Sequence, residues 1–128
     1  MSIKKQYELE YNLNVSPRHL FPRLSTPEGL TGWFADKVTT DGKIYNFIWD
    51  NVDHIAKLIH VKELKNIKWK WLENNQDTIF FIEFRIDTLD LTNSTALYIS
   101  DYCDEDELQE NIDVWDSLVT KLKRQIGI

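Results

Sequence analysis

The hydrophobic period of this chain changes between its two ends, so no single kind of secondary structure can serve the whole of it. Near the N-terminus, Ile3, Lys5, Tyr7, Leu9, Tyr11, Leu13 and Val15 alternate with Lys4, Gln6, Glu8, Glu10, Asn12 and Asn14. Period two over that length predicts a long, half-buried strand. Near the C-terminus, Leu108, Ile112, Trp115, Leu118, Val119, Leu122 and Ile126 recur at steps of three and four. That is one stripe of an amphipathic helix of about five turns. Asp104, with Glu107 three residues on, predicts a capping box at its start, and Lys121, Lys123 and Arg124 suit the negative end of its dipole.

Between these ends the signals are short. Ser16-Pro17 supplies an N-cap and a proline at the first helical position, with Leu20, Phe21 and Leu24 as the apolar side of a short helix. Thr26-Pro27-Glu28 repeats the device and opens a second short helix running toward Trp33 and Phe34. Asp41-Gly42 reads as a hairpin turn, and further turns are expected at Asn51 to Asp53, Lys65-Asn66, Glu73 to Asp77 and Leu91 to Ser94. The stretches between them predict six consecutive antiparallel strands. The expected architecture is therefore α+β: a seven-stranded antiparallel sheet, two short helices after the first strand and a long C-terminal helix. A length of 128 residues fits one domain spanning 1–128.

Five Trp, five Tyr and six Phe are a heavy load for a chain of this size, and such rings need a dry place. Alternation sends Tyr45, Phe47 and Trp49, Trp69 and Trp71, Phe80, Ile82, Phe84 and Ile86, and Leu97 and Ile99 to one face of the sheet. Trp115 and Leu118 would meet them from the helix, with Trp33 and Phe34 near the mouth. Pockets for apolar molecules are lined in this way. The candidate cavity-lining residues are Trp33, Phe34, Phe47, Trp49, Trp69, Trp71, Phe80, Phe84, Ile99, Trp115 and Leu118. Ile79 and Phe81 point to the opposite face and are candidate interface residues, with a homodimer as the simplest partner.

Other chemistries find little support. Net charge is −6, with 11 Lys+Arg against 8 Asp+Glu up to Leu72 and 4 against 13 after it, a poor balance for neutralising phosphates. Lys62, Lys65, Lys68 and Lys70 lie beside Trp69 and Trp71, but alternation parts them from the rings, so no nucleic-acid partner is expected. His54 and His60 share one face of the expected strand but are six residues apart, about 20 Å, too far for one ion, and His19 stands alone. The acidic run from Asp101 to Glu110 lacks the spacing of a calcium loop and reads as helix capping and a solvated face. Cys103, the single cysteine, has no base near it in sequence, reads as a buried, inert thiol and forms no intrachain disulfide. No catalytic residues, metal ligands or cofactor are expected. No apolar run is long enough to span a membrane and no signal peptide is readable, so the expected location is the cytoplasm.

One likeness adds to this. Val15-Ser16-Pro17 with Leu20 and Phe21, then Thr26-Pro27-Glu28-Gly29-Leu30 with Trp33-Phe34, resembles the opening pattern of the activator of Hsp90 ATPase homologue 1-like family. Lys68-Trp69-Lys70-Trp71 sits where that family often has an aromatic strand, and Trp115, Leu118 and Leu122 resemble its terminal-helix signature. This family lies in the START-like superfamily with Bet v 1 and the polyketide cyclases. The resemblance implies a helix-grip fold, in which the curved sheet wraps the last helix, and a hydrophobic or amphipathic small molecule held between them without catalysis. The alternative is a protein-interaction module, co-chaperone-like as the resemblance implies, or self-associating through the outer sheet face at Ile79 and Phe81.

Overall fold

A computed structural model describes residues 3–89 and 94–128. The order of elements is β1 (Lys4–Leu13), α1 (Pro17–Ser25), α2 (Pro27–Leu30), β2 (Lys37–Thr40), β3 (Ile44–Trp49), β4 (Val52–Lys62), β5 (Asn66–Glu73), β6 (Gln76–Leu89), β7 (Ser94–Asp104) and α3 (Leu108–Ile126). The strands form one seven-stranded sheet in the order β1-β7-β6-β5-β4-β3-β2, with every neighbouring pair antiparallel. The meander therefore runs from β2 to β7 without a crossover, and β1 returns to close on β7. The expected turn at Leu91 to Ser94 lies, but for Ser94, outside the described residues.

The short helices start as their sequences predict. Ser16 accepts a hydrogen bond from the His19 amide and Thr26 accepts one from the Gly29 amide, each followed by a proline at the first turn. They bury Leu20, Phe21, Leu24 and Leu30 and deliver Trp33 and Phe34 into the interior. The indole N–H of Trp33 donates to the Arg23 carbonyl (2.8 Å) and that of Trp49 to the Phe34 carbonyl (2.7 Å). Two of the large rings thus fix the helical connection to the sheet while satisfying their own polar atoms.

Three local expectations are corrected. The long strand begins at Lys4, so Ile3 is exposed, and Lys5 reaches solvent beside Glu105 (3.2 Å) rather than packing inside. The capping box does not form: Asp104 ends β7, Glu105–Glu107 make a 3-10 turn, and α3 starts without a side-chain cap. The acidic first turns still complement the helix dipole through their charge. Lastly, β4 carries a bulge between Leu58 and His60, where Leu58 faces Trp69 but His60 faces Lys68. One extra residue reverses the parity of the strand, so His54 and His60 lie on opposite faces.

The concave face of the sheet is packed in register. Phe47 lies opposite His54, Trp69 opposite Ile82, Ile67 opposite Phe84, Phe84 opposite Ile99 and Ile99 opposite Leu9. Against them α3 buries Trp115, Val119 and Leu122, while Leu118 and Ile126 are half-buried.

Candidate functional site

Rings fill most of the space between sheet and helix. Phe47, Trp69, Phe84 and Ile99 are fully buried, Trp33 and Phe34 nearly so, and Phe34 makes edge contacts with Phe47, Trp49 and Phe84 while stacking on Trp115 at 5.7 Å. Offset and edge-on pairs of this kind add about 0.5–1.5 kcal/mol each beyond simple burial. The interior stays open at one end, where the β3–β4 hairpin and the middle of β5 face the first half of α3.

The opening is a cleft of about 400 Å3, lined by Phe34, Trp49, His54, Trp71, Ile82, Asp101, Asn111, Val114, Trp115 and Leu118. Of the residues expected to line a cavity, Phe34, Trp49, Trp71, Trp115 and Leu118 meet here. Trp33, Phe47, Trp69, Phe84 and Ile99 sit in the packed core behind it, where their rings and side chains support the walls. Phe80 lies apart. β6 bulges between Asp77 and Phe81, where the facing residues of β5 are Leu72 and Lys70, and the β6–β7 ladder ends at the Glu83 and Ser100 pair. In the bulge and past the last β7 pair, Phe80 turns to the ring of Tyr102 and the ammonium of Lys4, and it lines a neighbouring hollow of about 530 Å3 that shares His54 and Trp71 with the cleft.

On the outer face, Phe81 packs against Tyr102 and lies under the Lys68 ammonium, 4.0 Å from the ring centre. Ile79 stands out from the bulge, 77% exposed.

The polar groups of the cleft come from three elements. Asp101 lies on β7 directly opposite Tyr7 of β1, with its side chain on the concave face. Its Oδ2 accepts hydrogen bonds from the Tyr7 hydroxyl (3.3 Å) and the Trp115 indole (3.2 Å), and its Oδ1 accepts the Tyr102 amide (2.8 Å). Burial raises its carboxyl above the usual carboxylate range, against the opposing pull of those three donors and of Lys4. Burial and the neighbouring Asp101 charge push the Tyr7 hydroxyl well above its ordinary value, so it remains a donor at neutral pH. His54, at the β3–β4 hairpin, meets Trp49 edge-on at 5.0 Å, with Nδ1 3.1 Å from the Val52 carbonyl. Asn111 donates its amide to the Glu107 carbonyl (2.9 Å) from the first turn of α3.

Asp101 was hidden in sequence by the acidic run that it opens, although Leu97, Ile99, Asp101 and Cys103 continue one alternation and share its inward face. His54 was hidden for another reason: a lone histidine carries no signal until the hairpin places it beside a tryptophan. Cys103 is buried, and burial raises its thiol, which keeps it protonated and unreactive. Among the described residues, no group of three or more His, Cys, Asp or Glu is placed to hold a metal ion, and no helix is long and apolar enough to cross a membrane.

The START-like superfamily domain matches residues 1–128, the whole chain. The chain belongs to the START-like superfamily. Its open curved sheet around a long C-terminal helix is accordingly the helix-grip form of this α+β family. Among solved structures, the START-like chain is similar to BfR322 from Bacteroides fragilis, with 34% identity over 100% of this chain and 94% of that one and a TM-score of 0.67. It is also similar to the Aha1 dimer of Colwellia psychrerythraea (17% identity, 97% of each chain, TM-score 0.79). A third likeness is CalU16 of Micromonospora echinospora, with 12% identity, 93% of this chain, 72% of that one and a TM-score of 0.70. At such identities the last two show the fold alone. No curated protein matches the chain.

Proposed function

We propose that this START-like domain binds a small apolar or amphipathic molecule in the cleft between the β3–β5 face and α3, without chemical conversion of it. The carrying observation is the cleft itself: about 400 Å3, open on one side, walled by Phe34, Trp49, Trp71, Trp115 and Leu118, with only three polar residues to orient an occupant. That volume and that mixture are typical of small-molecule sites. The packed rings behind the cleft support the reading as well, because they hold its walls in place before a ligand arrives.

The test is titration with the neutral fluorophore N-phenylnaphthylamine, alongside native mass spectrometry of the purified chain for a retained small molecule. Enhanced emission that is lost in Val114→Glu, which places a charge at the exposed rim of the cleft, is the expected result. Emission that the protein leaves unchanged, or that Val114→Glu leaves unchanged, overturns the reading.

A second reading, self-association through the outer sheet face, draws on Ile79, which projects beside Phe80 and Phe81. The Aha1 dimer is a relative by fold in which two copies meet. Light scattering that reports a dimer for the wild type and a monomer for Ile79→Lys supports it, and a monomeric wild type removes it.

A further inference from the structure

The polar groups of the cleft share one property: each offers an acceptor. The four lone-pair positions of the Asp101 carboxylate meet three protein donors, which leaves one on Oδ1 for an occupant. His54 lies with Nδ1 against a backbone carbonyl, which can only accept, so in the neutral ring the proton sits on Nδ1 and Nε2 is an acceptor. Asn111 gives one amide N–H to the Glu107 carbonyl, which leaves its Oδ1 acceptor and its second N–H for other partners. Trp115 already gives its indole donor to Tyr7 and Asp101, and Trp49 gives its own to the Phe34 carbonyl.

Charge points the same way. Among the described residues, no Lys, Arg or His forms an ion pair with Asp101, whose carboxyl is raised by burial against the pull of its three donors and of the more distant Lys4. The rings of Trp49, Trp71 and Trp115 line the same cleft, and indole faces attract cations. A carboxylate ligand would meet the charge of Asp101.

We propose that the preferred occupant is a protonated amine on an aromatic or apolar body, with the Asp101 carboxylate as its counter-ion and the indole walls around both. The proposal rests on the cleft being a small-molecule site and names the chemical class that this site selects.

Calorimetric titration of the whole chain at neutral pH with three probes of one ring system tests it: tryptamine (cation), tryptophol (neutral) and indoleacetate (anion). Tryptamine is expected to bind about tenfold or more tightly than tryptophol, as a charge-assisted hydrogen bond implies, and indoleacetate weakest. Asp101→Asn should erase the preference for tryptamine over tryptophol. Wild-type protein titrated below the Asp101 midpoint should lose the same preference, a readout that needs no variant to fold. Equal binding of tryptamine and tryptophol, or tightest binding of indoleacetate, overturns the cation assignment while the cleft remains a binding site. Failure of all three probes to bind also overturns it, and the N-phenylnaphthylamine titration then decides separately whether the cleft reading falls too.

Discussion

The indole N–H of Trp115 lies 2.9 Å from the hydroxyl of Tyr7, 108 residues away in the chain, and so ties the terminal helix to the first strand. The same N–H reaches Asp101 on the strand between them. Trp115→Phe keeps a smaller aromatic ring against Phe34 and Phe84 but removes that donor together with part of the buried indole. The Tyr7 hydroxyl and the Asp101 carboxylate then each lose a buried partner. A loss of about 1–3 kcal/mol is expected, read as a lower urea midpoint with an unchanged m-value. An unaltered midpoint would show that the hydrogen bonds contribute nothing net at this site.

Asp101 sets a second expectation. Burial raises its folded-state carboxyl above the ordinary value of 3.8, so the native state holds this proton more tightly than the unfolded chain does. The stabilisation from that proton is full below 3.8 and is lost as pH rises through the folded midpoint. Wild type should therefore lose stability relative to Asp101→Asn across that window as pH increases. The neighbouring titratable groups do not blur the comparison. Tyr7 and Cys103 are both raised by burial and stay neutral there. Carbon NMR of the Asp101 carboxyl gives the midpoint directly, and a value at or below 3.8 would mean that its three donors outweigh desolvation.

Period was the part of this architecture that could be read from residues, because burying one face of a strand or helix writes itself into alternation or into steps of three and four. That is why β1 from Tyr7 to Leu13, the Ser16 and Thr26 caps and the stripe of α3 were legible. The bulges were not, since an extra residue at Leu58 to His60 or near Phe80 leaves composition unchanged while reversing which side chains face inward. The cleft was half legible. Trp115, Trp71 and Trp49 declared themselves as inward rings, but which rings fill space and which border it depends on how the β3–β4 hairpin meets α3. Asp101 and Asn111 matter through partners on other elements, Tyr7 and Trp115 for the one and the Glu107 carbonyl for the other.

The junction of the two short helices gives a sharper stability test. A Cβ on Gly29 would come within 2.0 Å of the Pro22 carbonyl oxygen and 2.7 Å of the Arg23 Cα, both backbone atoms that cannot step aside. Close approach of α2 to α1 is thus what requires glycine here. Gly29→Ala should destabilise by at least about 2 kcal/mol through overpacking. It should also loosen Trp33, whose indole donates to the Arg23 carbonyl, so tryptophan fluorescence should shift to the red before global unfolding. A variant with wild-type stability would show that the α1–α2 junction relaxes freely.

Phe34 and Trp49 touch at 5.2 Å yet should fail in different ways. Phe34 is 2% exposed and wedged among Trp33, Phe47, Phe84 and Trp115, so Phe34→Ala leaves a cavity and is expected to cost about 3–5 kcal/mol. Trp49 is half-buried on the cleft wall, where solvent can fill part of what is removed. Trp49→Leu loses some apolar contact and one hydrogen bond to the Phe34 carbonyl, at about 1 kcal/mol. Its larger effect falls on binding: with one indole wall gone, affinity for an apolar probe should drop about fivefold or more while the fold persists. Thermal unfolding and probe titration on the same two variants separate these outcomes. If Trp49→Leu unfolds as readily as Phe34→Ala, Trp49 supports the core rather than the cleft, and if it binds the probe as wild type does, the cleft is walled by other residues.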